Sequence, residues 1–200
     1  QKKKKSKSAS PARATARSQA KSQPKSKSVA PNWLQLAQLR SEKCELKEAQ
    51  VAYVMALEAA KRAGDLRATM EAISGLLRLA SEALDEKAVE TWDMELDELM
   101  ADYPRQVPAM AWYCKGVIAR HRSEYASAQR SFLRCIRAVR KDPKHHSASH
   151  SLTAEEAIAK AWVMLATTLS QRGHARRAQW LAEEGRRGYG SKNLRAINRM

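Results

Sequence analysis

Several features that mark common protein classes are missing from this 200-residue sequence. No segment approaches the roughly 18 consecutive apolar residues that a membrane span requires, and no charged stretch leads into an apolar core as in a secretory signal. The three cysteines, Cys44, Cys114 and Cys135, lie far apart, and none belongs to a CxxC pair. We therefore expect a cytoplasmic protein with reduced, packed thiols and no membrane partner, with a nuclear or nucleoid-associated location as the alternative.

Motifs of the common catalytic sites are also missing. The sequence contains no GxxxxGK[ST] phosphate loop, no strand followed by GxGxxG, no HExxH and no GxSxG. His145, His146 and His150 are imidazoles that could bind a metal, but they lie in a Ser-rich stretch without a neighbouring carboxylate or thiol. We expect residues 144–153 to be a flexible insertion, and we predict a non-enzymatic protein without catalytic, cofactor or metal sites.

Acidic residues are absent from the first 32 positions, which contain eight Lys, two Arg and seven Ser, with Ala and Val as the only apolar residues. Such a segment buries too little apolar surface to offset the entropy of ordering. We predict that residues 1–32 are a disordered basic tail or linker. Because the first residue is Gln1 and not Met, we also expect a processed form or a part of a longer chain.

The remaining sequence has opposite charge in its two halves. Residues 33–102 carry a net charge of −7 and residues 103–200 a net charge of +13. The segment from Asp85 to Asp102 alone contains eight acids and one Lys, with Ala88, Trp92, Leu96 and Leu99 as its apolar helix face. We expect the acids of this segment to face solvent.

Beyond the tail, the sequence has the periodicity of helices. Gly and Pro are confined to a few breaks, apolar residues recur three and four positions apart, and no sustained alternation indicates a strand. The pattern predicts helices over residues 32–41, 45–63, 66–82, 85–101, 108–122, 124–141, 153–172 and 174–187, with the beginning of another from 191.

A set of four positions recurs along these helices. The residues at offsets 0, 4, 16 and 20 are large, small, small and aromatic in two copies: Trp112, Gly116, Ala128 and Phe132, and Trp33, Ala37, Ala49 and Tyr53. A third copy begins at Trp162, and a weaker one runs from Ala72 to Trp92. Small residues let two helices approach closely, while large residues fill the space beside the contact. The recurrence, about every 40 residues, favours stacked hairpins over the alternative of a generic helical bundle.

This pattern resembles the tetratricopeptide repeat, in which W-x2-L-G-x2-Y is followed by a small residue, an aromatic and Ala. The best copy combines Trp33-x2-Leu36-Ala37 with Ala49-x3-Tyr53-x2-Ala56. Lys115 departs from the pattern, because it stands where the first Leu is expected. The resemblance implies an all-α fold, a right-handed α-solenoid of about four hairpins within residues 33–190. The hairpins are predicted at 33–65, 66–104, 108–143 and 154–188, and residues 191–200 begin a capping or further helix.

The resemblance also implies a binding site. In similar proteins the first helices of successive repeats line a concave groove that holds a peptide. Transferring those positions to this sequence gives a predicted partner-binding groove of Leu34, Gln38, Ile73, Leu77, Tyr113, Val117, Arg120, Lys160, Val163 and Thr167. The function implied is a scaffold or adaptor that binds a peptide or protein.

Two alternatives remain open. Residues 172–200 contain eight Arg or Lys against two Glu. Four further arginines are spaced along one predicted helix, namely Arg130, Arg134, Arg137 and Arg140. Together with the basic tail, such a surface is typical of a nucleic-acid-associated or transcription-regulatory protein, and the tail could equally bind another acidic partner. The opposite charges of the two halves also suit head-to-tail self-association.

Overall fold

The computed structural model of the chain describes residues 30–142 and 154–183, and within them it contains helices and short links but no strand. The predicted tail up to residue 29, the insertion 144–153 and the helix predicted from 191 lie outside these residues, whereas residues 30–32, predicted as the end of the disordered tail, belong to the first helix. The helices are α1 (Ala30–Glu42), α2 (Leu46–Ala63), α3 (Leu66–Glu82), α4 (Glu86–Asp102), α5 (Ala109–His121), α6 (Tyr125–Lys141), α7 (Ala154–Gln171) and α8 (175–183, where the described part ends). The all-α prediction is confirmed, and every predicted helix limit that falls within the described residues lies within two residues of the observed one; the end predicted at 187 lies outside them.

One type of turn closes five of the helix ends. In each turn a residue with positive φ is followed by a residue whose backbone N–H donates to the carbonyl five positions earlier, at 2.8–3.0 Å. This is the hydrogen bond of a Schellman C-cap, which satisfies a carbonyl that the helix leaves free. The residues with positive φ are Cys44, Gly64, Leu84, Ser123 and Gly173. The turns within hairpins therefore recur at 44, 84 and 123, about every 40 residues, and again at 173.

The helices pack in the order in which they occur in the chain. Consecutive helices pack against each other as α1–α2, α2–α3, α3–α4, α5–α6 and α6–α7, and alternate helices pack as α1–α3, α3–α5 and α5–α7. The buried apolar side chains form two clusters, one centred on α1 to α5 and one on α5 to α8. Trp112 and Tyr113 of α5 pack against both clusters, so α5 joins the two halves of the core.

Two aromatic rings lie directly on glycines. A Cβ placed on Gly116 would lie 2.6–2.8 Å from carbons of the Phe132 ring, and a Cβ placed on Gly75 would overlap the Tyr53 ring. Gly116 and Phe132 belong to the two helices of one hairpin, whereas Tyr53 and Gly75 join successive hairpins. Because a Cβ would not fit at either place, glycine at these two positions lets the two helices approach more closely than any other residue would allow.

Ion pairs connect α4 to α5, which approach each other less closely than α2 and α3 do. The Asp93 carboxylate, 7% exposed, accepts hydrogen bonds from Lys115 Nζ at 2.6 Å and from Arg122 Nη1 at 2.7 Å. Lys115 also reaches Asp97 at 2.8 Å. The expectation that all acids of this segment face solvent was therefore wrong for Asp93. Its burial is tolerated because both of its oxygens are paired with cations.

The turns lead to a prediction about backbone strain. Leu84 has φ +57°, a left-handed conformation that is strained for a residue with a Cβ, and it is 82% exposed. The substitution Leu84→Gly therefore removes the strain with little loss of apolar burial. We expect the free energy of unfolding to rise by about 1 kcal/mol, measured by urea denaturation. Gly64→Ala is the matched control: its φ is +66° and its surroundings are open, so it should lower stability by about 1 kcal/mol. Changes in the same direction for both variants would contradict this explanation.

Candidate functional site

A cleft of about 500 Å³ opens between α3, α5 and α7, the first helices of three successive hairpins. Its walls are mainly apolar, with charged side chains from α3 and α5. The lining residues are Leu77, Arg78, Ser81 and Glu82 of α3, Tyr113, Cys114, Val117, Ile118, Arg120 and His121 of α5, and Val163, Met164 and Thr167 of α7.

The structure brings six of the ten predicted groove residues to this cleft. They are Leu77, Tyr113, Val117, Arg120, Val163 and Thr167. Leu34 and Ile73 lie in the first core cluster at 2% and 0% exposure, and Gln38 is also buried. Lys160 is half-buried on α7 and does not line the cleft. Binding of a partner by these residues stays a prediction.

Several lining residues escaped the sequence reasoning. Arg78 and Glu82 follow Leu77 by one and five positions, and Ile118 follows Val117 directly. The repeat positions lie along one ridge of each first helix. The cleft is wide enough that residues of the neighbouring ridge line it as well. The five positions that follow each predicted position include all of these residues.

Arg78 is one of two arginines in the cleft, and both of its terminal nitrogens form hydrogen bonds. Nη1 donates to Glu82 Oε1 at 2.9 Å and Nη2 donates to Ser41 Oγ at 2.7 Å. The guanidinium also lies close enough to the phenol of Tyr53 to interact with it electrostatically. Burial raises the pKa of Tyr53, although the neighbouring guanidinium opposes that rise. Arg78 thus links α1, α2 and α3 and forms a fixed wall of the cleft.

Arg120 is the second arginine, and its surroundings are different. Its Nη1 lies 3.8 Å from Met164 Sδ, a weak acceptor. No carboxylate among residues 32–142 and 157–183, whose side chains the structure describes, forms an ion pair with it. The half-buried guanidinium therefore lies among apolar side chains with donors available for an anionic group.

Burial raises the pKa of a phenol and of two thiols in and near the cleft. It raises the pKa of Cys114 to about 12 and that of Tyr113 to about 12. The same effect raises the pKa of Cys135, which lies in the second core cluster, to about 12. Cys114 Sγ donates to the carbonyl of Ser74 at 3.3 Å. Because the thiolate is the reactive form of cysteine, Cys114 serves here as a small packing residue.

In the part of the chain that the structure describes, no three His, Cys, Asp or Glu side chains come together in a way that would hold a metal ion. The segment with His145, His146 and His150 lies outside the described residues. Among the described helices, none is long and apolar enough to cross a membrane.

Comparison with known proteins gives no assignment: no family model, no curated protein and no solved structure matches this chain. The likeness to the tetratricopeptide repeat thus stays a prediction from the sequence pattern.

The thiols provide a direct test of the packing around the cleft. In the native chain at pH 7.5 we expect a maleimide to modify Cys44, which lies in an exposed turn, and to leave Cys114 and Cys135 unmodified. After unfolding, all three should react, because burial no longer suppresses ionisation and access. Mass spectrometry of the labelled peptides measures this, with Cys44→Ser as the unlabelled control. Labelling of native Cys114 as fast as that of Cys44 would show that the cleft floor is open.

Proposed function

We propose that this chain is a non-enzymatic interaction module that binds a peptide or a protein segment in the cleft between α3, α5 and α7. The observation that carries the proposal is Arg120, a cation without a described carboxylate partner in a largely apolar cleft built by successive first helices. Cavities that bind ligands combine apolar walls with a few placed polar groups in this way.

The helix packing supports a solenoid as the framework of this module. Each first helix packs against the next first helix, α1 on α3, α3 on α5 and α5 on α7. Among the helix pairs whose contacts the structure describes, α1 packs on α2 and α3, and α7 packs on α5 and α6, whereas a closed bundle would bring α1 and α7 together. We infer a right-handed stack of four tetratricopeptide-like hairpins, in which each hairpin buries its apolar face against the next.

The chemistry of the cleft defines the ligand class. Val117, Val163 and Met164 present apolar surface, and burial of one large apolar side chain against such surface contributes about 1.5–3 kcal/mol. A carboxylate beside it would accept charge-assisted hydrogen bonds from Arg120. A volume of about 500 Å³ holds only a few side chains. We therefore propose that the ligand is a short motif that pairs a large apolar residue with an acidic residue or a terminal carboxylate.

In the test, a library of displayed random peptides is selected for binding to the full-length chain and, separately, to the Arg120→Gln variant. The original protein should enrich peptides with Asp, Glu or a free C-terminus next to a large apolar residue. Arg120→Gln should lose that preference and bind the selected peptides about 10- to 100-fold more weakly, the effect of losing a hydrogen bond to a charged group. Arg105→Gln removes the same charge from an exposed position outside the cleft and should bind like the original protein.

A second variant separates the cleft from the charge. Thr167 borders the cleft and is exposed, so Thr167→Trp should fill the opening while the fold is kept. We expect it to abolish binding of all selected peptides. Equal binding by Thr167→Trp and the original protein would place the binding site elsewhere, and an acid preference that survives Arg120→Gln would remove Arg120 from the proposal.

A further inference from the structure

Four basic side chains form a straight line on the exposed face of α6. Arg130, Arg134, Arg137 and Lys141, called here the α6 stripe, are all exposed. Their spacings of four, three and four residues place them on one side of the helix, over a length of about 17 Å. Helix α6 contains no acidic residue, and none of its residues lines the cleft. The α6 stripe is therefore a surface separate from the proposed peptide site.

The stripe is left without counterions by the part of the chain that the structure describes. Basic side chains outside α6 form ion pairs with carboxylates there, among them Arg40, Lys61, Arg62, Arg67, Arg78, Lys115 and Arg122. None of these ion pairs includes a residue of the stripe. Like charges three and four positions apart destabilise a helix, and only the last turn gains from the helix dipole. The stripe thus opposes folding unless an external anion neutralises it.

Two contacts hold cations in place on this surface. The guanidinium of Arg134 lies over the ring of Trp112, 4.6 Å from its centroid, and Trp112 is packed against both core clusters. Nearer the beginning of α6, Arg172 Nη1 donates to Gln129 Oε1 at 2.6 Å, which places a further exposed cation beside the second turn of α6. Because Gln129 is neutral, this bond orients Arg172 without cancelling its charge. Cations held in this way lose less conformational entropy on binding.

We propose that the α6 stripe binds the phosphate backbone of a nucleic acid. The stripe offers regularly spaced cations, three of them guanidinium groups that match phosphate geometry. A protein partner or a membrane surface would also require apolar contact. Among the described residues, however, the large apolar side chains that are exposed all lie outside α6. A repeating polyanion is therefore the occupant that this surface fits, with little preference for base sequence.

The test measures binding of the full-length chain to a 20-base-pair duplex of arbitrary sequence by fluorescence anisotropy between about 50 and 200 mM salt. Two variants each lose four positive charges at exposed positions without a described carboxylate partner. The stripe variant carries Arg130→Gln, Arg134→Gln, Arg137→Gln and Lys141→Gln. The control variant carries Lys43→Gln, Lys47→Gln, Lys87→Gln and Arg105→Gln.

The plot of log affinity against log salt has a negative slope. In the stripe variant the magnitude of this slope should decrease by about 3.6, because each lost phosphate contact removes about 0.9. The control variant should change the slope by less than about 1. Because substitution of the stripe removes like-charge pairs, its unfolding midpoint should be equal to or above that of the original chain. If the stripe variant is instead unfolded, a triple variant with Arg130→Gln, Arg137→Gln and Lys141→Gln keeps Arg134 over Trp112. This variant should decrease the magnitude of the slope by about 2.7.

Equal changes in both variants would show a general charge effect and overturn the proposal. An unchanged slope in the stripe variant would overturn it too, and would assign the binding to other basic segments. If duplex binding is unchanged but the stripe variant loses binding to vesicles of anionic lipid, the occupant is a membrane surface. If it loses concentration-dependent association in sedimentation instead, the occupant is a second copy of the chain. Both of these results contradict the nucleic-acid proposal.

Discussion

The fold depends on aromatic rings that lie against glycines. Phe132 on Gly116 sets the distance between the two helices of one hairpin, and Tyr53 on Gly75 sets the distance between successive hairpins. A protein interior is close-packed, so a ring without space for a Cβ beneath it fixes how near the helices lie. Alanines that are fully buried, such as Ala37, Ala49 and Ala128, act in the same way at the other contacts. Regular helix spacing follows from these few small residues.

Helix α5 contributes to the core packing and to both proposed binding surfaces. Its Gly116 lies under Phe132, its Trp112 and Tyr113 pack against both core clusters, and its Arg120 faces the cleft. The same Trp112 lies under the guanidinium of Arg134, which belongs to α6. Residues of α5 thus line the cleft and also contact a cation of the α6 stripe.

Much of this fold could be predicted from the sequence because its signals are local. Apolar periodicity and short turns located each helix, and the offsets of Trp112, Gly116 and Phe132 identified the hairpin contact. Contacts distant in sequence were missed. The burial of Asp93 depends on Lys115, 22 residues further on, and a helix pattern alone assigns a carboxylate to solvent. The core positions of Leu34 and Ile73 likewise depend on which neighbouring helix covers them, which repeat positions do not specify.

The most direct test of this account is a double-mutant cycle on Gly116→Ala and Phe132→Leu, measured by urea denaturation. The overlap with the ring predicts that Gly116→Ala alone lowers the free energy of unfolding by about 1–3 kcal/mol, although Ala favours a helix by about 1 kcal/mol over Gly. In the Phe132→Leu background, the same substitution should cost at least about 1 kcal/mol less, because the ring is gone. If Gly116→Ala leaves stability unchanged or raises it while Phe132 is present, the close contact of ring and glycine does not determine the fold.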